Sequence, residues 1–148
     1  MAIQLMEINP ETSTIYDLNE LAAQTDFPVR EIRAAIRRLI EPIIEDPRVV
    51  SEVDFGVGEV AKDVFEHGRE DCSRTLKVCS EMGGIAIETM DITKEHSNHN
   101  GLGRRALQNL FGDDYSTLTE RTPDGLLFIS HLTIRHDLIY QMPVATSA

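Results

Sequence analysis

Basic residues are in short supply: 14 Lys and Arg stand against 25 Asp and Glu, a formal net charge of −11. Such a field repels nucleic acid as a whole and disfavours nonspecific DNA binding unless the cations are gathered in one place. Cysteine is scarcer still. Cys72 and Cys79 lie seven apart with no second pair, so neither a zinc site nor a disulfide framework is indicated, and two reduced thiols suit a reducing cytosol. No apolar run approaches the roughly 20 residues that cross a bilayer. The opening Met1-Ala2-Ile3-Gln4-Leu5 lacks the basic region of a secretory signal, and the expectation is a cytoplasmic protein without a membrane partner. Internal repeats and low-complexity stretches are also missing.

What remains is ordinary globular material. The length, 148 residues, suits one domain, and the balance of 41% hydrophobic and 26% charged residues argues against disorder. A core of useful size needs no disulfide or structural metal at this length.

Residues 3–8 alternate briefly enough to suggest a short strand, and Asn9-Pro10-Glu11-Thr12-Ser13 reads as a turn. Ile15, Leu18, Leu21 and Ala22 follow at helical spacing, and Thr25-Asp26 is placed to cap a second helix with Pro28 in its first turn. From Val29 to about Glu41, Ile32, Ile36, Leu39 and Ile40 share one face while Arg30, Arg33 and Arg37 share another, and Pro42 ends the helix. A longer helix is predicted from about Val50 to His67, with Val53, Val57, Val60, Ala61 and Val64 inward and Gly68 as its stop. The period then changes to two. Leu76, Val78 and Ser80, then Ile85, Ile87 and Thr89, flank Gly83-Gly84 as a hairpin. A helix over about 103–111 and strands near 115–121 and 126–134, joined by Pro123-Asp124-Gly125, complete the pattern. The order predicts an α+β fold, a two-layer sandwich with helices covering one face of a mainly antiparallel sheet.

Two carboxylates on the long helix, Glu59 and Asp63, lie four apart, with Glu52 and Glu66 extending the stripe. Like charges at that spacing cost about 0.2–0.5 kcal/mol per pair. An acidic protein has acidic solvated faces, and that is one reading of the stripe. The other is a divalent cation, which takes hard oxygen ligands and neutralises the pair.

The stretch Gly58-Glu59-Val60-Ala61-Lys62-Asp63-Val64-Phe65-Glu66-His67-Gly68 resembles the N-box of the GHKL (histidine kinase-like) ATPases, in particular their anti-sigma factor and serine-protein kinase branch. The resemblance implies a Bergerat-type sandwich that binds ATP or ADP with Mg2+. It gives Glu59 the role of orienting or deprotonating the attacking group. Asp63 stands where the family has a magnesium-holding Asn, and its extra charge repels phosphates unless a cation is held there. The strand ending in Met90-Asp91 matches the strand whose terminal Asp receives the adenine amino group. The family's glycines do not follow, since Asp91-Ile92-Thr93-Lys94-Glu95 stands in their place, and a strand-end Asp is also a common turn former. Gly101-Leu102-Gly103 is similar to the second, phosphate-side glycine box, with Arg104 where an apolar residue is usual. Helix N-termini of this kind attract phosphate in any family. Only ten residues separate Asp91 from Gly101, short for an ATP lid, and His96 and His99 within them read as part of a polar loop rather than a metal site. Leu126 replaces the threonine expected after Gly125.

The likeness covers about residues 28–134. It divides the chain into an N-terminal strand and helix extension (1–27), the histidine kinase-like domain (28–136) and a tail (137–148). It further implies a protein partner, a sigma factor or an anti-anti-sigma-like protein, engaged through Arg30, Arg33 and Arg37, with a homodimer as a further possibility. Serine kinase activity toward that partner is implied only in weakened or lost form, given the departures at Asp63, after Asp91 and at Leu126. A second reading competes at residues 17–40. Asp17 to Arg33 resembles a helix-turn-helix of the mercury-resistance-regulator type, which sets Arg30, Arg33, Arg37 and Arg38 against DNA as a transcriptional regulator, although Asp26 replaces the usual turn glycine.

Overall fold

The computed structural model describes residues 8–94 and 102–139. Five strands form one sheet in the order β1-β2-β3-β5-β4, antiparallel at every pairing. They are β1 (Ile15–Asp17), β2 (Thr75–Glu81), β3 (Gly84–Ile92), β4 (Tyr115–Thr122) and β5 (Gly125–Ile134). Four helices accompany them: α1 (Leu18–Gln24), α2 (Pro28–Ile40), α3 (Pro47–His67) and α4 (Leu102–Phe111). The two-layer α+β sandwich expected from the periodicity is the observed architecture. Among the described residues no helix is long and apolar enough to cross a membrane.

The core forms where the period-two and period-3.6 faces meet. Val53, Val57, Val60 and Val64 of α3 lie over Leu76, Val78, Ile85, Ile87, Leu132 and Ile134 of the sheet, and Ile32, Ile36 and Ile40 of α2 join the same cluster. Leu18 and Leu21 of α1 are buried in it too, and β1 pairs with β2, so residues 15–24 share the sheet and core of the segment that follows. At about 1.5–3 kcal/mol per fully buried aliphatic side chain, this layer is the main source of stability.

Three local expectations are corrected. Ile15 lies in a strand, not a helix, because the Asp17 carboxylate accepts from the Asn19 and Glu20 amides and so starts α1 at Leu18. Thr25-Asp26 does not cap α2. Thr25 closes α1, its Oγ1 accepts from the Phe27 amide, and Phe27 precedes Pro28 with no side-chain cap bond. The third concerns α3, which begins three residues earlier than Val50, because Asp46 caps it by accepting from the Arg48 amide and Pro47 fits the first turn. The strand expected at 3–8 falls largely outside the described residues, and Ile8 itself is in no strand. Asn9 to Ser13, read as a turn, makes a single 3-10 turn over Pro10–Thr12.

The hairpin between β2 and β3 turns on Met82 and Gly83, both at positive φ (49° and 81°), a two-residue connection matched to the twist of the strands. Gly84 follows against the far end of β5. A Cβ there would collide with the Ile134 carbonyl oxygen and lie 3.1 Å from the His136 nitrogen. Gly84→Ala is therefore expected to destabilise the domain by about 1–3 kcal/mol through backbone displacement. A urea midpoint equal to that of the wild type would contradict this.

Candidate functional site

The last three turns of α3, the end of β3 and the start of α4 converge over the polar half of the sheet. Along β3 the inward positions run Ile85, Ile87, Thr89 and Asp91. The change from aliphatic to polar marks where the packed core gives way to a site. Thr89 and Ser130, opposite each other on β3 and β5, share a buried hydroxyl hydrogen bond of 2.6 Å. Thr117 of β4 pairs with Ser130, and its hydroxyl accepts from Arg104 Nη2 at 2.6 Å. These hydroxyls, and that of buried Tyr115, form a polar floor that sequence reasoning missed. Its only trace in the sequence is hydroxyl residues at inward positions of otherwise aliphatic strands.

Asp91 is the most deeply placed charge-bearing group, 1% exposed, and its Oδ2 has no hydrogen-bond partner. Its position is fixed by the junction of α3 with the end of β3. Arg69 N–H donates to the Ile92 carbonyl at 2.7 Å, Lys94 N–H donates to the His67 carbonyl at 2.6 Å, and Gly68 bridges Thr93. Gly68 has to lack a side chain, since a Cβ there would strike the Val64 carbonyl and come within 2.8 Å of Asp91 Oδ2. Arg74 is nearby and 5% exposed, but its Nε donates to Asn19 Oδ1 at 2.5 Å and its guanidinium lies 5.0 Å from the Phe65 ring.

The Asp91 carboxyl is pushed up to about 7, by burial first and then by the Asp63 charge, with the Arg74 charge opposing both. Asp63, half-buried on α3, is likewise raised, by burial first and then by the charges of Glu66 and Glu59, with His67 and Lys62 pulling the other way. Burial raises the Tyr115 hydroxyl to about 12 with a contribution from Asp63, against Arg104. Asp63 thus acts electrostatically on Asp91 and on Tyr115, which places the three near one another. Glu59, one turn earlier, sits against the start of α4, where a Cβ on Gly103 would collide with its Oε2. Lys62 Nζ is 3.9 Å from the same oxygen.

Of the residues singled out from the sequence, Glu59, Asp63, Asp91, Gly103 and Arg104 are therefore brought to one region. Gly101, His96 and His99 lie outside the described residues. The arginines of α2 are largely engaged within the chain, and Arg33 lines a cleft at the α2–α3 seam together with Glu59 and Lys62. Arg33 makes a two-point contact with Asp54 (2.7 and 3.2 Å), its shaft lying over Gly58, and Arg37 pairs with Glu41 (2.6 Å) and Asp54 (3.5 Å). Those bonds hold both guanidinium groups above their ordinary range. Arg30 lies 5.2 Å from the exposed Phe27 ring. No observation favours a groove-reading role for α2.

No family model and no curated protein matches the chain. Among solved structures the chain is similar to the catalytic domain of the histidine kinase ThkA in a nucleotide-free form. The two are 14% identical, the likeness covers 80% of this chain and 94% of that one, and the TM-score is 0.45. Such a likeness concerns architecture, and no activity follows from it.

The Asp91 environment has a measurable consequence with a definite sign. Below about pH 4 both the folded and the unfolded chain carry the Asp91 proton. As pH rises toward the folded value of about 7, the unfolded chain releases it first, so this contribution to stability is lost over that window. Urea unfolding at intervals from pH 4 to 8 should show Asp91→Asn losing less stability with rising pH than the wild type. Superimposable profiles would mean that Asp91 does not titrate as its burial requires.

Proposed function

We propose that this chain is a nucleotide-responsive regulatory domain of the histidine kinase-like ATPase type, belonging with the anti-sigma, partner-switching proteins. The observation that carries the reading is the Asp91 Oδ2: a buried carboxylate oxygen with no donor, aligned with the position where the resemblance calls for an acceptor. A buried acceptor left unmade costs about 1–3 kcal/mol, so such an atom is retained where a ligand supplies the donor. An adenine amino group is the donor that fits. It would be flanked by the Thr89–Ser130 hydroxyl pair on the floor and by Gly68 at the rim.

The phosphate side fits less freely. Phosphate groups would meet Asp63 and Glu59 on α3, so a cation at Asp63 is needed to offset the repulsion. Glu59 is already packed against the first turn of α4, the helix end whose amides would otherwise take an anion. In a kinase, Glu59 would have to be free to receive the proton of a partner hydroxyl. Its packing between Gly103 and Lys62 favours binding without turnover. The reading is therefore of a sensor with weak or lost serine kinase activity. Its partner, a sigma factor or an anti-anti-sigma-like protein, would dock on the exposed face around Arg30 and Phe27 of α2.

Calorimetric titration of the full chain with ADP and with ATP, each with Mg2+, tests the nucleotide half. Saturable binding that weakens about 10- to 100-fold in Asp91→Ala is expected from the loss of a charge-assisted bond to the base. No heat at millimolar nucleotide would remove the nucleotide from the reading. For the partner half, a bait carrying Arg30→Glu should lose the partner, whereas one carrying Arg48→Glu at the far end of α3 should keep it. Equal capture by both variants would move the docking face away from α2.

A further inference from the structure

The last two turns of α3 carry a second arrangement, of which the nucleotide reading uses Asp63 alone. Asp63, Glu66 and His67 are spaced i, i+3 and i+4, and each offers one ligand atom, all within 4.8 Å of one another. His67 Nε2 is 4.0 Å from Asp63 Oδ1 and 3.9 Å from Glu66 Oε2. Ligand atoms about 2.0–2.2 Å from a tetrahedral zinc ion lie roughly 3.3–3.5 Å from each other. The two gaps to His67 close by about half an ångström each, and the Asp63–Glu66 pair, which lies within 4.8 Å, closes by about 1.5 Å at most, a matter of side-chain rotation. Because the three sit on a packed helix, its backbone need not move.

A second observation points into the same place from the sheet. The orphan Oδ2 of Asp91 lies beneath this turn, against Gly68, the residue after His67. Glu59, Asp63, Glu66 and Asp91 crowd this end of α3. The cations near them are turned to other tasks: Lys94 Nζ donates to the Glu66 carbonyl at 3.1 Å, and Arg74 is bound to Asn19. Of these carboxylates Asp91 is buried, Glu59 and Asp63 are half-buried and Glu66 is exposed, and a bound divalent ion offsets such crowding of like charge directly.

We propose that Asp63, Glu66 and His67 bind one divalent transition-metal ion of the zinc type, with the unpartnered Asp91 carboxylate behind them as a neutralising countercharge. Imidazole among the ligands selects such an ion over magnesium or calcium, which take all-oxygen sets. The three side chains leave a fourth position open to water or to a ligand. The site needs no nucleotide and does not rest on the adenine reading.

Zn2+ alone, titrated into the full chain in competition with a chromophoric chelator, tests it, and Co2+ absorbance reports the ligand set. One equivalent is expected, weakened at least 10-fold in His67→Ala and in Asp63→Asn and unchanged in His131→Ala, His136→Ala and the double variant His96→Ala/His99→Ala. Zn2+ should also raise the thermal midpoint of the wild type, and raise it less in Glu66→Gln, so a poorly folded His67 variant does not leave the question open. Absence of Zn2+ binding, binding that survives His67→Ala, or loss that follows His131 or the His96/His99 pair would overturn the site. Nucleotide binding is read separately with Mg2+ and ADP, and because Asp63 and Asp91 serve both readings, His67→Ala and Glu66→Gln are the variants that tell the two apart.

Discussion

Close contact between α3 and its two neighbours, β3 below and α4 beside, is the constraint on which the rest of the arrangement depends. It is permitted by missing side chains at Gly68 and Gly103, where a Cβ would meet the Val64 carbonyl and Asp91 in one case and Glu59 in the other. Through that contact, residues from three separate elements are brought to one region. The valine face of α3 supplies the apolar adhesion that holds the helix down. The carboxylates on its flank are then carried into partial burial whether or not they are individually favourable there. Repulsion between Asp63 and Asp91 is thus a consequence of hydrophobic packing, and its energy is available to any cation or hydrogen-bond donor that enters.

Much of this was legible from spacing. The change from a 3.6 to a two-residue period after Gly68, the glycines at the first hairpin and Pro123-Asp124-Gly125 at the second delimit the helices and strands to within a few residues. The Glu59/Asp63 pair and the strand-end Asp91 drew attention as chemistry-bearing groups, and the fold brings them together. What escaped notice depends on tertiary pairing. Asp17 and Asp46 each claim a helix start that propensity placed elsewhere, because a cap acts through one geometry that neighbouring candidates also satisfy on paper. The hydroxyl floor of Thr89, Ser130 and Thr117 exists only across β3, β5 and β4, a register no single strand reveals. The Arg33–Asp54 contact likewise joins α2 to α3 and shows that a basic stripe read from one helix is not a free basic surface.

That last point bears on how an acidic chain meets its surroundings. With a net charge of −11, few cations are left to steer an anionic partner. Two of the arginines on α2 are engaged across the α2–α3 seam. Exposed pairs of this kind contribute little to stability, typically about 0–1 kcal/mol. Their effect is positional: the Asp54 contact holds the Arg33 shaft over Gly58, one residue before Glu59. A ligand that pulled Arg33 or Asp54 away would disturb the turn of α3 that presents Glu59. The α2 surface and the Glu59 end of the site are accordingly not independent places, since Arg33, Gly58, Glu59 and Lys62 line one cleft.

Coupling of that kind needs an element with two arrangements, and α4 meets the requirement best. Its first turn carries the positive end of the helix, and the Glu59 carboxylate lies against Gly103 within that turn. An anion entering the site competes with Glu59 for the same helix end. If the anion wins, Glu59 loses its place against Gly103 and either Lys62 follows it or α4 shifts along the sheet, taking Arg104 from Thr117. Either displacement alters the rim of the site more than its floor, since Thr89 and Ser130 are held by strand pairing on both sides and Asp91 by its pairing with Phe128 of β5. On the proposed reading, recognition at the floor and response at the rim would fall to different elements, and a binding event could then be read elsewhere without disturbing the core.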